Sequence, residues 1–238
     1  MDLSRRSTLP ERMDDADFPR ADYERCLRDL ASVNRITLTQ RPTLAWLGRA
    51  TREFPAGAPV RLLDVACGAG DLLRTIHAWA ARRGLGPELV GLDLNPRSAA
   101  VAATLTPADM SIDYRTGDVF AARPEPRPDF IVTSQFTHHL DDQDIVRLLR
   151  WLDEFAARGW LIADLHRSAL AYWGFSALAT VARWHPVVRG DGMISVARSF
   201  RRADWTRLLQ AAGLTAEIHW HPGFRWSISR LGPNPGEP

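Results

Sequence analysis

LLDVACGAGDLL occupies residues 62–73. An apolar run ends in the carboxylate of Asp64. Gly68 and Gly70 follow, and the chain passes at once into a second apolar segment with helical spacing. A buried strand that hands over to a helix through glycines lets a ligand lie against bare backbone, and the first helical turn beyond has N–H groups without intrahelical partners. A dinucleotide site would place its pyrophosphate there and ask for G-x-G-x-x-G. Here Leu73 stands at the third position, and Asp64 would repel phosphate. A carboxylate at this place suits a ligand with an amine and a positive charge.

Working outward, strands and helices alternate. Residues 60–66 read as a buried strand and 71–84 as a helix closed by Gly84. Residues 88–94 are a second strand, and 96–105 a helix with proline in its first turn. A third strand covers 111–118 and a fourth 128–136. A helix over 143–156 and a fifth strand over 159–165 follow. This order predicts an α/β fold: a doubly wound, mostly parallel sheet with helices on both faces. Upstream, Leu27, Leu30, Val33 and Ile36 recur at helical spacing, and Pro42 opens a second helix, so residues 21–54 form an N-terminal helical cap. Residues 1–20 carry charges but no apolar core of a signal sequence, and are expected to be a flexible arm. Residues 55–231 make the main domain. Residues 166–202 are an apolar, aromatic insertion, a helical lid. A helix over 202–214 and two strands joined by Pro222-Gly223 suggest an antiparallel hairpin at the sheet edge, and 232–238 a disordered tail.

Bulk composition narrows the classes further. The chain has 238 residues, 45% hydrophobic and 24% charged, with a formal net charge of +2. That is ordinary for a globular chain with a full core. It offers no basic excess for nucleic acid. Arginine supplies every basic side chain, since the sequence has no lysine. Cys26 and Cys67 make no disulfide framework, which points to a reducing cytoplasm, and no apolar run reaches the ~18 residues of a membrane span.

The second strand ends in Asp93, placed for both hydroxyls of a ribose, with nothing near it suited to a 2′-phosphate. Asp64, the glycine loop and Asp93 together suit an adenosyl amino acid. From residue 62 to about 165 the chain resembles the class I S-adenosylmethionine-dependent methyltransferases. LLDVACGAGDLL matches their first motif, an acid followed by three spaced glycines, with Ala66 at the first glycine place. GLDLNP, TGDVF and DFIVTSQFTHHL match the second to fourth. The DVACGAGD form, the T-HHL segment and the ADLHRS strand end are similar to bacterial small-molecule enzymes acting on quinones, polyketides or phenols. The resemblance implies the Rossmann-like methyltransferase fold and S-adenosyl-L-methionine as cofactor. Asp64 and the backbone of Ala66, Gly68 and Gly70 would hold its methionine part. Asp93 would take the ribose, Leu94 would cover the adenine, and Asp118 with the backbone of Val119 would read the adenine edge. Gln135 would line the pocket near the sulfonium, and Arg41 would reach the methionine carboxylate.

Methyl transfer is a direct displacement that needs no metal. A phenol acceptor must lose a proton from a group of ordinary pKa ~10, and histidine is the usual base. His139 after the fourth strand and His166 after the fifth are the candidates. Strand alternation puts Asp164 beside His166, where it would orient the imidazole. Arg167 pairs either with a substrate carboxylate or with a surface acid. Tyr172 and Trp173, with Phe175, Trp184 and Met193, either wall an aromatic acceptor or form a small core or a contact with a second copy. His219 and His221 share a strand face without the further ligands of a metal site, and Asp141-Asp142 read as a helix cap. The expected activity is O-methylation of a small, hydroxylated, aromatic metabolite. C- or N-methylation, or a silent binding version of the fold, are the alternatives.

Overall fold

The computed structural model describes residues 2–15 and 17–232. Seven strands form one sheet in the order β3-β2-β1-β4-β5-β7-β6. The strands are β1 (Pro59–Val65), β2 (Gly86–Asp93), β3 (Ile112–Thr116), β4 (Phe130–Ser134), β5 (Gly159–Leu165), β6 (Glu217–His221) and β7 (Arg225–Leu231). All pair in parallel except β7, which runs antiparallel between β5 and β6. The chain order reverses between β1 and β4, so the crevice of the sheet opens at the carboxyl ends of those strands.

Period-two alternation fills both faces. Leu63, Val65, Ile131, Trp160 and Ile162 pack on one face, beneath α5 (Asp142–Phe155) and α8 (Arg202–Ala212). Leu62, Phe130, Val132, Leu161 and Ala163 pack on the other, beneath α2 (Arg41–Ala50) and α3 (Asp71–Arg82). Each fully buried Leu or Ile contributes roughly 1.5–3 kcal/mol. A strand buried on both faces therefore reads as a continuous apolar run. Asp141 caps α5, its carboxylate accepting the Asp144 N–H at 2.8 Å, as expected. Helix α4 (Pro96–Leu105) follows β2 with Asn95 as its cap.

Two layers cover the carboxyl ends of the strands. Helix α1 (Arg20–Ile36) contributes Tyr23, Cys26, Leu27 and Val33 to a cluster with Ala179, Trp184 and Val188 of the lid. The lid is a helix pair, α6 (Ala169–Val181) and α7 (Pro186–Arg198). A Cβ on Gly192 would strike the Phe175 ring, so glycine there lets the two helices close.

The N-terminal segment departs from the flexible arm expected of it. Ser7 N–H donates to Ala197 O at 3.0 Å, and Arg6 reaches Arg198 O, Leu140 O and Asp142 at 2.7–2.8 Å while stacking on Phe200. The Arg12 and Met13 N–H groups both donate to Asp191. A charged segment can lie on a protein when its partners are buried carbonyls and carboxylates, which composition does not reveal. Gly232 donates to Arg158 O, and the rest of the expected tail lies outside the described residues. No helix among the described residues is long and apolar enough to cross a membrane.

Candidate functional site

The turn after β1 is held by its own backbone and by the end of β2. Ala66 and Cys67 N–H donate to Leu92 O, and Gly68 N–H donates to the Asp93 carboxylate at 2.8 Å. The other Asp93 oxygen takes Asn95 N–H at 2.9 Å. Ala66, Gly68 and Gly70 all have positive φ, at 58°, 52° and 72°. Alanine pays about 1–2 kcal/mol for this left-handed backbone, which gives a physical reason for glycine at the first motif place.

A cleft of about 800 Å³ opens above this turn. Ala66, Gly68, Asp93, Leu94, Asp118, Val119 and Gln135 all line it, one group from the end of each of β1 to β4. A Cβ on Gly68 would meet nothing within 4 Å, so that position opens to the cleft. Leu94 is 73% exposed, the mark of an apolar cover without a partner in the chain. The Asp118 carboxylate accepts Phe120 N–H at 2.9 Å. From the cap, Tyr23 closes the far wall, its hydroxyl on Ser98 Oγ at 2.8 Å and the Arg97 guanidinium over its ring.

Three expected cofactor residues sit elsewhere. Asp64 is only 2% exposed and lies behind the turn. Burial, with the charges of Asp71 and Asp93, pushes its carboxyl well above the ordinary range. Gly70 faces Tyr114, whose ring a Cβ there would strike; it is needed for packing and for its backbone, not as a cleft surface. Arg41 lines a second cavity instead. The carboxylates of Asp71 and Asp93 favour a cationic ligand over a phosphate above the turn.

The second cavity, about 640 Å³, lies beneath the lid. Helix α6 presents Leu170, Ala171, Gly174, Phe175 and Leu178 to it, one helical stripe. Tyr172 and Trp173 are not on that stripe. Tyr172 is buried against Val196 and Ala197, and Trp173 is 65% exposed. Thr37, Arg41, Asp191, Ser195, His221 and Arg225 supply polar groups. Glu11, Met13, Leu30 and Gln135 line both cavities, so the two spaces meet there. Gln135, at φ 55°, donates through Nε2 to Asn34 Oδ1 at 2.7 Å and accepts from Arg225 at 3.3 Å.

The histidines are arranged differently from expectation. Asp164 does not orient His166. It accepts from the Thr137 hydroxyl and from His138 N–H, and pairs with His138 Nδ1 at 2.8 Å. β4 and β5 are parallel neighbours, so their ends meet across the sheet, and this contact is closer than the same-strand alternation. His166 accepts the Trp220 indole N–H at 3.2 Å, packs on Phe224 and Trp226, and lines neither cavity. Arg167 is buried, donating to Leu3 O and Ser199 O and pairing with the partly exposed acid Asp204 at 3.0 Å, the second of its two expected partners; it ties the arm to α8 and lines neither cavity. His139 lines the larger cleft, its Nδ1 3.0 Å from Asp14.

His138, which the sequence reading passed over, is the central group. Its Nε2 lies 3.5 Å from Glu11, whose carboxylate also accepts from Ser195 at 2.8 Å. Burial pushes the His138 imidazole down, but Asp164 and Glu11 together outweigh it and raise it to about 10. Burial pushes Asp164 up, and the His138 charge and hydrogen bond hold it at about 2. Glu11, His138 and His139 also offer ligand atoms within 4.8 Å of one another, a grouping that the sequence did not suggest. His219 instead meets Glu217, and His221 meets Ser227.

Residues 36–218 match a family model described as a methyltransferase domain. The chain is 32% identical over 105 residues to the trans-aconitate 2-methyltransferase of Mycobacterium tuberculosis, covering 44% of this chain and 36% of that one. It is 30% identical over 200 residues to the ubiquinone biosynthesis O-methyltransferase of Nitrobacter winogradskyi, covering 76% and 68%. The fold is similar to the plantazolicin methyltransferase BpumL, solved with a pentazolic desmethyl analogue and SAH, at a TM-score of 0.66 and 12% identity over 88% and 90% of the two chains. The chain belongs to the methyltransferase-domain family.

Proposed function

From that membership we propose that the chain transfers the methyl group of S-adenosylmethionine to an oxygen of a small acceptor with an apolar body. The observation that carries this is the meeting of the two cavities at Glu11, Met13, Leu30 and Gln135. The cleft residues fit the cofactor: Asp93 at the ribose, Leu94 over the base, Asp118 and the backbone of Val119 at the base edge. The carboxylates of Asp71 and Asp93 near the turn suit its positive charge. When bound, S-adenosylmethionine supplies an electrophilic methyl group on sulfur.

The lid stripe and the cap orient the acceptor and exclude water, which turns a slow encounter into an aligned displacement. Bound in the cleft, the cofactor would offer its methyl group for direct displacement by the acceptor oxygen that the lid stripe and the cap align. Glu11 borders both cavities and would take the hydroxyl proton, held in place by His138 and Ser195. His139 stays on the cofactor side. The name of the Nitrobacter relative supports transfer to oxygen. A second reading has its own observation, since Glu11, His138 and His139 could instead hold a divalent cation that binds the acceptor oxygen.

The first test is calorimetric titration with S-adenosylmethionine, S-adenosylhomocysteine and NAD. Micromolar binding of the first two and none of the third is expected; NAD binding or no adenosyl binding overturns the reading. A panel of phenols, quinols and carboxylic acids with labelled S-adenosylmethionine then reads the acceptor. Turnover abolished by chelator and restored by one metal selects the cation reading.

A further inference from the structure

Arg225, at the start of β7, lines the apolar cavity and is only 4% exposed. Its guanidinium donates to Gln135 Oε1 at 3.3 Å and to Thr37 Oγ1 at 2.8 Å, both neutral groups. Its Nε has no hydrogen-bond partner among the described residues, and no carboxylate among them lies within ion-pair distance. A guanidinium carries five N–H donors and keeps its charge in proteins. Burying it without a counter-charge is costly, and folds normally answer with a hydrogen-bonded acid.

The acids near the cavity do not provide that answer. Glu11 is held by Ser195 and faces His138. Asp191 is occupied by the Arg12 and Met13 N–H groups. Asp164 acts on Arg225 only through space and is committed to His138 and Thr137. The two lining acids thus already have hydrogen-bond partners, whereas the guanidinium has no acid partner and its Nε has none at all among the described residues. Burial presses it down to about 10, the direction expected of a charge with too little compensation.

We propose that Arg225 receives a carboxylate of the acceptor, so that the substrate class is an apolar or aromatic acid. This rests on reading the cavity as the acceptor site. A carboxylate on the remaining N–H groups of the two terminal nitrogens forms the charge-assisted contact that guanidinium favours. Since Arg225 also holds Gln135, the acid end is anchored beside the junction and the rest of the molecule lies along the α6 stripe. The other carboxylate within reach of this region is that of the cofactor's methionine, but Arg225 does not line the larger cleft.

The test is calorimetry on the full chain saturated with S-adenosylhomocysteine, using benzoate and 2-naphthoate against their uncharged amides. Wild type should bind at least one acid about tenfold or more tightly than its amide. Arg225→Met should abolish that preference, Arg225→Lys should keep part of it, and S-adenosylhomocysteine affinity should stay unchanged. Equal binding of acid and amide, no binding of either acid at millimolar concentration, or a preference that survives in Arg225→Met overturns the proposal. A tenfold loss of S-adenosylhomocysteine affinity in Arg225→Met, with no acid preference in wild type, assigns the carboxylate to the cofactor and overturns it as well. Failure of wild type to bind S-adenosylhomocysteine overturns the functional reading instead, and the acid-amide comparison without it still reads Arg225. Melting temperature keeps a folding failure separate: removing a buried charge without a counter-ion should leave Arg225→Met melting at or above wild type when no probe is present.

Discussion

Along the floor of the larger cleft the polar groups stand at strand ends: the turn after β1, Asp93 at the end of β2, Asp118 after β3 and Gln135 after β4. Each is placed by the strand immediately before it. Around the cavity under the lid they come from four separate pieces of chain: Glu11 from the arm, Thr37 and Arg41 from the cap, Asp191 and Ser195 from α7, and His221 and Arg225 from the hairpin. The floor of the first space is a property of the sheet, and Glu11, Tyr23 and Leu30 only complete its wall. The second exists only when arm, cap, lid and hairpin have closed on one another. A fold can thus keep the first and rebuild the second, as binding sites on shared folds often do. The junction between them is a buried charge chain, Asp164–His138–Glu11, contributed by β5, the turn after β4 and the arm.

The comparison breaks hardest at that junction. Asp164→Asn leaves His138 between a neutral amide and Glu11, and a buried pair with one partner removed costs roughly 3–5 kcal/mol. Chemical denaturation should show this loss. The pair also sets a pH signature. His138 is raised from 6.5 to about 10, so its contribution is complete below about 6.5 and disappears as pH rises through 10. Asp164 is lowered from 3.8 to about 2, so its contribution is present above 3.8 and disappears as pH falls through 2. Denaturation midpoints should decline from pH 6.5 to 10 in wild type, and this slope should flatten in Asp164→Asn. An unchanged slope means the pair is not what holds the junction.

Gly70→Ala should cost about 2–3 kcal/mol, from a methyl driven into Tyr114 and a left-handed backbone. If the variant instead keeps wild-type stability and loses S-adenosylhomocysteine affinity, Gly70 belongs to the cleft after all. Asp93→Ala should weaken S-adenosylhomocysteine about tenfold or more, by removing a charged acceptor for two hydroxyls, while acid-probe binding in the other cavity changes little. Equal losses in both would show that the two spaces are not separable. The smallest change sharpens the motif: Ala66→Gly should gain about 0.5–1 kcal/mol by relieving φ 58°, visible as a rise in melting temperature with cofactor affinity unaltered.

What was legible in the sequence follows the same division. The apolar runs of β1, β2, β4 and β5 and the amphipathic α3 and α5 announce themselves by period, and the loop-start residues inherit their positions from them. The resemblance to known methyltransferases singled out Ala66, Gly68, Asp93, Leu94, Asp118, Val119 and Gln135, and all seven line the larger cleft. Same-strand alternation misled in one place: it paired Asp164 with His166, although the end of a neighbouring parallel strand brought His138 closer. Aromatic content misled in another, since Tyr172 and Trp173 drew attention that the stripe of Leu170, Gly174 and Leu178 deserved. A charged arm looked free because nothing local shows that Asp191 lies ready for its backbone.

By itself the sequence determined the sheet, its parallel order and the turn that opens the larger cleft, because these depend on hydrophobic period, glycine and loop length within some forty residues. Tertiary structure alone decided the partners of His138, the structural use of Arg167 and the isolation of Arg225. Those depend on which charges are buried together, and burial is a property of packed elements far apart in the chain: Glu11 meets His138 across more than a hundred residues, and Arg225 finds neutral neighbours where a carboxylate would ordinarily stand.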